Sequence, residues 1–221
     1  MRVLQVPGGN ALQGALMVGR TVAQYMAAGV AALHLEDQVV NKRCGHLKNK
    51  QLVDEDVFLS RIRAAVNMRK QTEGDIVIIA RSDALQSLGF EAAVGRLKKA
   101  VEIGADMAFL EGINTEEEGR RVCQELAPTP VLFNAVQGGV SPQLSVQAAK
   151  DLGFRLIIFP GLALRATYEA FTGAATELKE RGIPPALTAK VQPRDVFAVC
   201  GLQEAMEFDA AAGGSMYTNG V

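Results

Sequence analysis

The chain has 221 residues, of which 48% are hydrophobic and 21% charged, and its net charge is −1. It has no apolar run near the roughly 18 residues of a membrane span and no basic surplus typical of nucleic-acid binders. We therefore expect neither a membrane nor a nucleic acid as partner. The three cysteines are widely spaced, and the opening residues do not resemble a signal peptide. Both features predict a cytoplasmic location, with mitochondrion and peroxisome as alternatives.

Short apolar runs alternate with amphipathic stretches along the chain. The apolar runs predict strands over residues 3–6, 31–35, 76–80, 107–110, 131–133 and 156–159. The amphipathic stretches predict helices over 15–28, 54–70, 91–103, 115–126, 142–152 and about 164–180. Asp54 is the expected N-cap of the second helix, and Ser141-Pro142 the expected start of the fifth. Residues 193–214 predict one short helix with a small-residue tail. Repeated strand–helix alternation is typical of parallel strands joined by helical crossovers.

Both a doubly wound sheet and a closed barrel fit this alternation. The chain contains no glycine-rich phosphate loop, which would favour the doubly wound sheet. Residues with polar or turn-forming character follow five of the strands directly: Glu36-Asp37, Arg81-Ser82-Asp83, Glu111, Asn134 and Pro160. A (β/α)8 barrel builds its active site at the carboxyl ends of its strands, so the barrel is the favoured architecture.

The segment after the second strand carries the strongest chemical signal. Cys44 is flanked by Lys42, Arg43 and His46, an electropositive setting that favours the thiolate. Such a thiol could exchange protons, attack covalently or ligate a metal. The residue types alone also fit a solvated basic loop with an incidental cysteine.

Four segments together resemble one enzyme family: LHLEDQVVNKRCGH, IVIIARSDA, FLEG and VLFN. They are similar to the isocitrate lyase and phosphoenolpyruvate mutase superfamily, in the branch of methylisocitrate lyase, 2,3-dimethylmalate lyase and oxaloacetate hydrolase. The similarity runs from about Leu16 onward. It implies a (β/α)8 TIM-barrel domain over residues 1–221, with residues from about 182 as a C-terminal helical extension. It also implies a homotetramer that exchanges C-terminal helices, and Mg²⁺, or Mn²⁺, as cofactor.

The same resemblance implies a role for each site residue. Cys44 is the expected general acid/base, supported by Lys42 and His46. Arg81 is expected to bind a substrate carboxylate, and Glu111 is expected to line the pocket as a further catalytic residue. Glu36 is expected to hold the metal through water. The expected substrate-binding residues are Gly45, Arg81, Ser82, Asn134 and Pro160.

Ser82 bears on the expected substrate. Serine rather than threonine at this position is similar to the oxaloacetate hydrolases, where a smaller hydroxyl leaves room for the hydrated substrate. Hydrolysis of oxaloacetate to oxalate and acetate is therefore the first expectation. A retro-aldol lyase acting on 2,3-dimethylmalate or methylisocitrate is the alternative.

The N-terminal residues depart from the family pattern. The family has an aspartate-rich segment before the first long helix, whereas this chain has no carboxylate before Glu36. We therefore expect an incomplete barrel that lacks the first one or two β/α units, weak magnesium binding and poor activity. A catalytically impaired relative that only oligomerises or binds a ligand is the second alternative.

Overall fold

In the computed structural model, which describes residues 3–5, 14–185 and 191–217, six strands form one parallel sheet in chain order. Each strand pairs with its sequence neighbours in parallel register, for example Glu36 with Arg81 and Arg81 with Phe109. This sequential order is that of a (β/α)8 barrel segment, so the predicted fold class is confirmed. The strands are β1 (Val3–Gln5), β2 (Ala32–Glu36), β3 (Val77–Ser82), β4 (Met107–Leu110), β5 (Val131–Asn134) and β6 (Leu156–Ile158).

Helices connect these strands close to the predicted positions. Asp54 is the N-cap residue of α2, as expected, but its side chain makes no capping hydrogen bond. The four-residue helix α3 was not predicted, because so short a segment carries no periodicity. The helices before β6 are α1 (Gly14–Ala27), α2 (Glu55–Gln71), α3 (Leu85–Leu88), α4 (Phe90–Ile103), α5 (Glu116–Glu125) and α6 (Val146–Leu152).

The predicted start of α6 is wrong. The cap is Ser145, whose hydroxyl accepts from the backbone N–H of Ala148 at 3.1 Å. Ser141 is buried, and its carbonyl accepts from the side chain of Gln143. An N-cap serine accepts a hydrogen bond from a backbone N–H of the first helical turn, two or three residues later. Ser145 makes this bond.

The two faces of the sheet differ in character because side chains alternate along each strand. The outer face forms the main core with the helices, where Leu33, Ile78 and Phe133 pack with side chains such as Phe58 and Leu97. The inner face carries a small apolar cluster of Ala32, Ile79, Phe109 and Leu132. Polar side chains lie beyond this cluster, at the carboxyl edge of the sheet. The inner face therefore has an apolar floor beneath a polar edge.

The chain divides into two units, residues 1–163 and 164–221. The second unit contains most of α7 (Leu162–Arg181), together with α8 (Pro193–Val199) and α9 (Leu202–Ala211). The predicted single C-terminal helix is wrong, because Gly201 adopts a left-handed φ of 83° and separates two helices. The expected extension from about residue 182 lies inside this unit.

None of the described residues of α7, α8 or α9 is buried. Large apolar side chains are exposed along all three helices, including Tyr168, Phe171, Phe197 and Phe208. Among the helices of the described residues, none combines the length and apolarity that a membrane crossing requires.

Candidate active site

Four polar side chains meet at the carboxyl edge of the inner face: Glu36, Arg81, Glu111 and Asn134, here called the rim cluster. They lie at the carboxyl ends of β2, β3, β4 and β5 in turn, with Glu111 directly after β4, and continue the inner-face alternation of Phe109 and Leu132. The prediction that strand-terminal polar residues converge is confirmed for these four. Pro160 lies at the same edge, but it is exposed in the turn after β6.

Arg81 is the centre of the rim cluster. Its Nε and Nη2 atoms donate to the two carboxylate oxygens of Asp83 at 2.8 and 3.0 Å. The same guanidinium lies 2.9 Å from Glu111 Oε2 and 3.3 Å from Glu36 Oε2. Its Cζ atom lies 4.9 Å from the ring centroid of Phe109, so the apolar floor supports the cation from below.

Burial disfavours the Arg81 cation, but the charges of Glu111 and Asp83 outweigh burial and raise the Arg81 pKa. Arg81 therefore stays charged at the carboxyl edge of the sheet, although only 3% of the residue is exposed. A fixed, dry guanidinium is a strong site for a carboxylate.

The two glutamates beside Arg81 differ in their pKa values. Burial raises the pKa of Glu111, but the hydrogen bond from His46 and the charge of Arg81 outweigh it and lower that pKa to about 2. Asn134 adds a donor at 3.2 Å from Glu111 Oε2. For Glu36 burial prevails, and its pKa is raised in spite of Arg81 and Lys42.

The β2–α2 loop (residues 37–54) contacts the rim cluster through Lys42 and His46, and it contacts the neighbouring Asp83 through Lys50. Lys42 Nζ lies 2.8 Å from Glu36 Oε2, and His46 Nε2 lies 3.0 Å from Glu111 Oε1. Lys50 Nζ donates to the Gly45 carbonyl at 2.6 Å and lies 3.6 Å from Asp83 Oδ1. These contacts hold the loop against the edge of the sheet.

Gly45 covers the rim cluster at close range. A Cβ atom built on Gly45 would lie under 3.0 Å from Glu111 and from Arg81 Nη2, so a larger residue there would displace the loop. Cys44 precedes this contact and is exposed. The exposed thiol thus adjoins a residue that touches both Arg81 and Glu111, next to a buried cation that can bind an anion.

Ser82 does not face the rim cluster. It follows Arg81 in the strand and points to the opposite face, where its hydroxyl donates to Asp37 Oδ2 at 2.8 Å. Ser82 is fully buried. The predicted contact between this hydroxyl and a hydrated substrate is therefore wrong.

Two carboxylates that sequence reasoning left without a role organise this edge. Asp83 forms a bidentate salt bridge with Arg81. Asp37 accepts hydrogen bonds from the Ser82 hydroxyl, the Asp83 backbone N–H and the Arg96 guanidinium. Both are among the polar residues that the sequence places at the ends of β2 and β3, next to residues with a predicted role. That adjacency was the available signal.

The floor of the site contains His34. It is 4% exposed, and its ring lies 5.6 Å from that of Phe109 in an edge-on arrangement. Burial, and then the charge of Arg81, lower its pKa to about 3, so this imidazole is neutral at physiological pH. Its Nδ1 atom has no hydrogen-bond partner among the described residues.

The described residues could contact a metal ion through a bound water, but they do not form a set of direct ligands. Among them, no group of three or more His, Cys, Asp or Glu side chains is arranged to hold a metal. Asp37, Asp83 and Glu111 are each paired with cations. Glu36 Oε1 is buried and without a partner in the described part of the chain, and this atom could accept a hydrogen bond from a metal-bound water.

Comparison with known families shows which proteins the chain is similar to. The phosphoenolpyruvate phosphomutase family matches residues 13–179. A 2-methylisocitrate lyase of Aeropyrum pernix is 35% identical over 200 residues, which cover 89% of this chain and 63% of that protein. The 2-methylisocitrate lyase of Salmonella typhimurium is 40% identical over 168 residues, or 76% of this chain and 56% of that protein. The chain thus spans about three fifths of the length of these curated relatives.

Solved structures give the same result for the fold. The crystal structure of a 2,3-dimethylmalate lyase superposes with a TM-score of 0.94 at 47% identity, covering 99% of this chain and 72% of that one. The structure of an oxaloacetate acetylhydrolase with the inhibitor 3,3-difluorooxalacetate gives 0.92 at 42% identity, covering 97% and 71%.

Proposed function

The chain belongs to the phosphoenolpyruvate mutase/isocitrate lyase superfamily, and we propose that it cleaves a carbon–carbon bond in a small 2-oxo or 2-hydroxy dicarboxylate. One observation carries this proposal. The loop that bears Cys44 lies against Arg81 and Glu111, so an exposed thiol adjoins a buried cation at the carboxyl edge of the strands.

Arg81 would bind one substrate carboxylate. A guanidinium binds carboxylates through paired N–H donors, and Arg81 already contacts Asp83 and Glu111 in this way. Lys42 and Lys50 add positive charge from the loop. Asn134 and Gly45 border the same space.

Cys44 would supply the proton. In hydrated oxaloacetate one hydroxyl on C2 loses its proton and becomes a C=O group, the C2–C3 bond breaks with its electron pair remaining on C3, and the C1–C2 fragment leaves as oxalate. The Cys44 thiol protonates C3 to give acetate and becomes a thiolate. The proton from that hydroxyl restores the Cys44 thiol at the end of the turnover. The loop excludes water, which protects the carbanion from other proton sources.

Oxaloacetate is the substrate that we propose first, and the 42% identity with an oxaloacetate acetylhydrolase supports it. The alternative is a retro-aldol lyase acting on 2,3-dimethylmalate or methylisocitrate. The 47% identity with a 2,3-dimethylmalate lyase favours that alternative. Ser82 no longer separates the two, because its hydroxyl is bonded to Asp37.

We propose Mg²⁺, with Mn²⁺ as a substitute, as a weakly held cofactor of this chain. Bound magnesium supplies charge that stabilises an enolate-like fragment. Glu36 is the one rim residue with an unpartnered carboxylate oxygen among the described residues, so we expect binding weaker than micromolar in calorimetry. A micromolar dissociation constant would contradict this expectation.

We also propose a homotetramer in which subunits exchange C-terminal helices. The support is the exposed apolar surface of the second unit, where Phe171 and Phe208 are 74% and 78% exposed. Single chains rarely leave so many large apolar side chains in water. Sedimentation equilibrium tests this assembly, and a monomer at micromolar concentration would contradict it.

A substrate panel tests the proposed function. The full chain is incubated with magnesium and oxaloacetate, 2,3-dimethylmalate or methylisocitrate, and the products are separated by chromatography. Release of oxalate and acetate supports the hydrolase, and turnover of only the tertiary alcohols supports the lyase. A stable oligomer that turns over none of these acids would instead support the impaired relative and overturn the enzymatic proposal.

A further inference from the structure

His46 joins two loops that are distant in sequence. The backbone N–H of Val140 donates to His46 Nδ1 at 3.1 Å, across 94 positions of the chain. Val140 belongs to the β5–α6 loop (residues 135–145), whereas His46 belongs to the β2–α2 loop. The side chain of His46 is 8% exposed, so water has little access to this junction.

Gly139 makes the junction possible. A Cβ atom built on Gly139 would lie 2.8 Å from His46 Cε1 and closer still to Nδ1. Real Cβ atoms essentially never approach another atom so closely, so the imidazole or the loop that bears it would have to move. The backbone of Gly139 is outside the left-handed region, unlike that of Gly138 with φ 73°. The requirement for glycine at position 139 is therefore one of space alone.

The junction also fixes the proton on His46. Because Nδ1 accepts the N–H of Val140, it carries no hydrogen, and the ring proton of the neutral imidazole must be on Nε2. Nε2 lies 3.0 Å from Glu111 Oε1, so the ring proton is on the nitrogen that lies nearest to this carboxylate. The low pKa of Glu111 agrees with such a donor.

We propose that Gly139 and Val140 are positioning residues that hold His46 as its Nε2–H tautomer and thereby hold Cys44 over Arg81 and Glu111. The catalytic consequence rests on the proposed function, but the tautomer and the docked loop do not. On the other side of the loop, Gly45 makes a similarly close approach to Glu111. Residues 44–46 are thus held between two glycine contacts.

Gly139→Ala tests the proposal, with Gly95→Ala as the matched control. A Cβ on Gly95 meets nothing within 4 Å and lies in helix α4. In Gly139→Ala we expect faster tryptic cleavage after Arg43 and Lys48, because the loop is released. We also expect kcat to fall roughly 10- to 100-fold with a smaller change in KM. The control should match the wild type in both measurements.

Nitrogen NMR reads the tautomer without turnover. The chain has two histidines, so ¹⁵N-histidine labelling gives two imidazole spectra, and His46→Gln assigns them. We expect an unprotonated Nδ1 and a protonated Nε2 for His46 in the wild type and in Gly95→Ala. Gly139→Ala should lose this pattern.

Two results would overturn the proposal. One is a proton on Nδ1 of His46 in the wild type, which decides the matter even if Gly139→Ala fails to fold. The other is a Gly139→Ala protein that keeps both the wild-type spectrum and the resistance to trypsin. In the double variant with His46→Ala, the second substitution should add no further loss, and additive losses would count against the contact. An inactive wild type with the expected spectrum would refute the proposed function alone.

Discussion

Two glutamates of the rim cluster, Glu36 and Glu111, lie on either side of Arg81 and are similarly buried, but their pKa values are shifted in opposite directions. Glu36 and Glu111 are both buried, at 4% and 1% exposure, and both contact the guanidinium. Glu111 also accepts from His46 and Asn134, and its pKa is lowered to about 2. Glu36 keeps one oxygen without a partner among the described residues, and burial raises its pKa.

The difference indicates that Glu111 has a structural role, whereas Glu36 is available to bind a ligand. On the Glu111 side, the chain supplies the partners that a buried carboxylate needs: His46 from the β2–α2 loop, Arg81 from β3 and Asn134 from β5. On the Glu36 side, the chain supplies charge but leaves an acceptor unused. A buried carboxylate that is partly unsatisfied is costly unless something else binds it. The Glu36 side is therefore where we expect a ligand or its water to bind.

Removing the shared cation should have the largest effect. Arg81→Gln leaves Glu36, Asp83 and Glu111 buried without their common partner, and breaking such a buried pair costs about 3–5 kcal/mol. We expect that loss in the free energy of unfolding from urea titration, together with loss of activity. Arg120→Gln, at an exposed arginine, is the control and should change little. An Arg81→Gln protein as stable as the control would contradict the central place of Arg81.

Glu111→Gln should destabilise the fold at neutral pH. A carboxyl pKa lowered from 4.5 to about 2 corresponds to roughly 3 kcal/mol. Since the folded pKa is the lower one, this stability is present above pH 4.5 and is lost as pH falls towards 2. Urea titrations across that window should show a gap between wild type and variant that closes in acid. Glu117→Gln, at an exposed position, should show no such gap.

Glu36→Gln should act in the opposite direction. Because burial raises the pKa of Glu36, its contribution to stability decreases as pH rises above 4.5. We expect the variant to be as stable as the wild type or more stable at pH 7, as replacement of a buried charge can be. Magnesium binding, measured by calorimetry, should weaken further in the variant. A destabilised variant with unchanged magnesium binding would contradict the different roles that we assign to Glu36 and Glu111.

Asn134→Ala should have the smallest effect. It removes one donor to Glu111, and one hydrogen bond to a charged group is worth about 1.5–3 kcal/mol at most, less when other donors remain. We expect a loss of about 1 kcal/mol in urea titration and a modest rise in the pKa of Glu111, followed by carboxyl ¹³C NMR. A loss as large as that of Glu111→Gln would assign Asn134 a larger role than the contacts indicate.

The sequence predicted the strands and the convergence of the rim cluster because both follow from local patterns. Alternation places Glu36 and Arg81 on one face, and parallel order brings their ends together. The superfamily and the barrel fold were likewise predicted from four short segments. These features depend on residues that are close in sequence or fixed by strand register.

Contacts between distant loops were beyond such reasoning. The bond from Val140 to His46 spans 94 positions, and no local pattern marks Gly139 as the glycine that makes room for an imidazole. Ser82 was misassigned for a related reason, since the partner of its hydroxyl, Asp37, lies 45 positions away. The cap at Ser145 and the break at Gly201 depended on choosing among several plausible residues.

The most direct test of the account is the oxaloacetate turnover rate of Cys44→Ser, measured as oxalate release beside Cys200→Ser, which changes another exposed cysteine. Loss of a general acid costs roughly 10²- to 10⁴-fold, so Cys44→Ser should fall by at least about 100-fold while Cys200→Ser keeps the wild-type rate. Equal rates in the wild type and Cys44→Ser would contradict proton donation by this thiol.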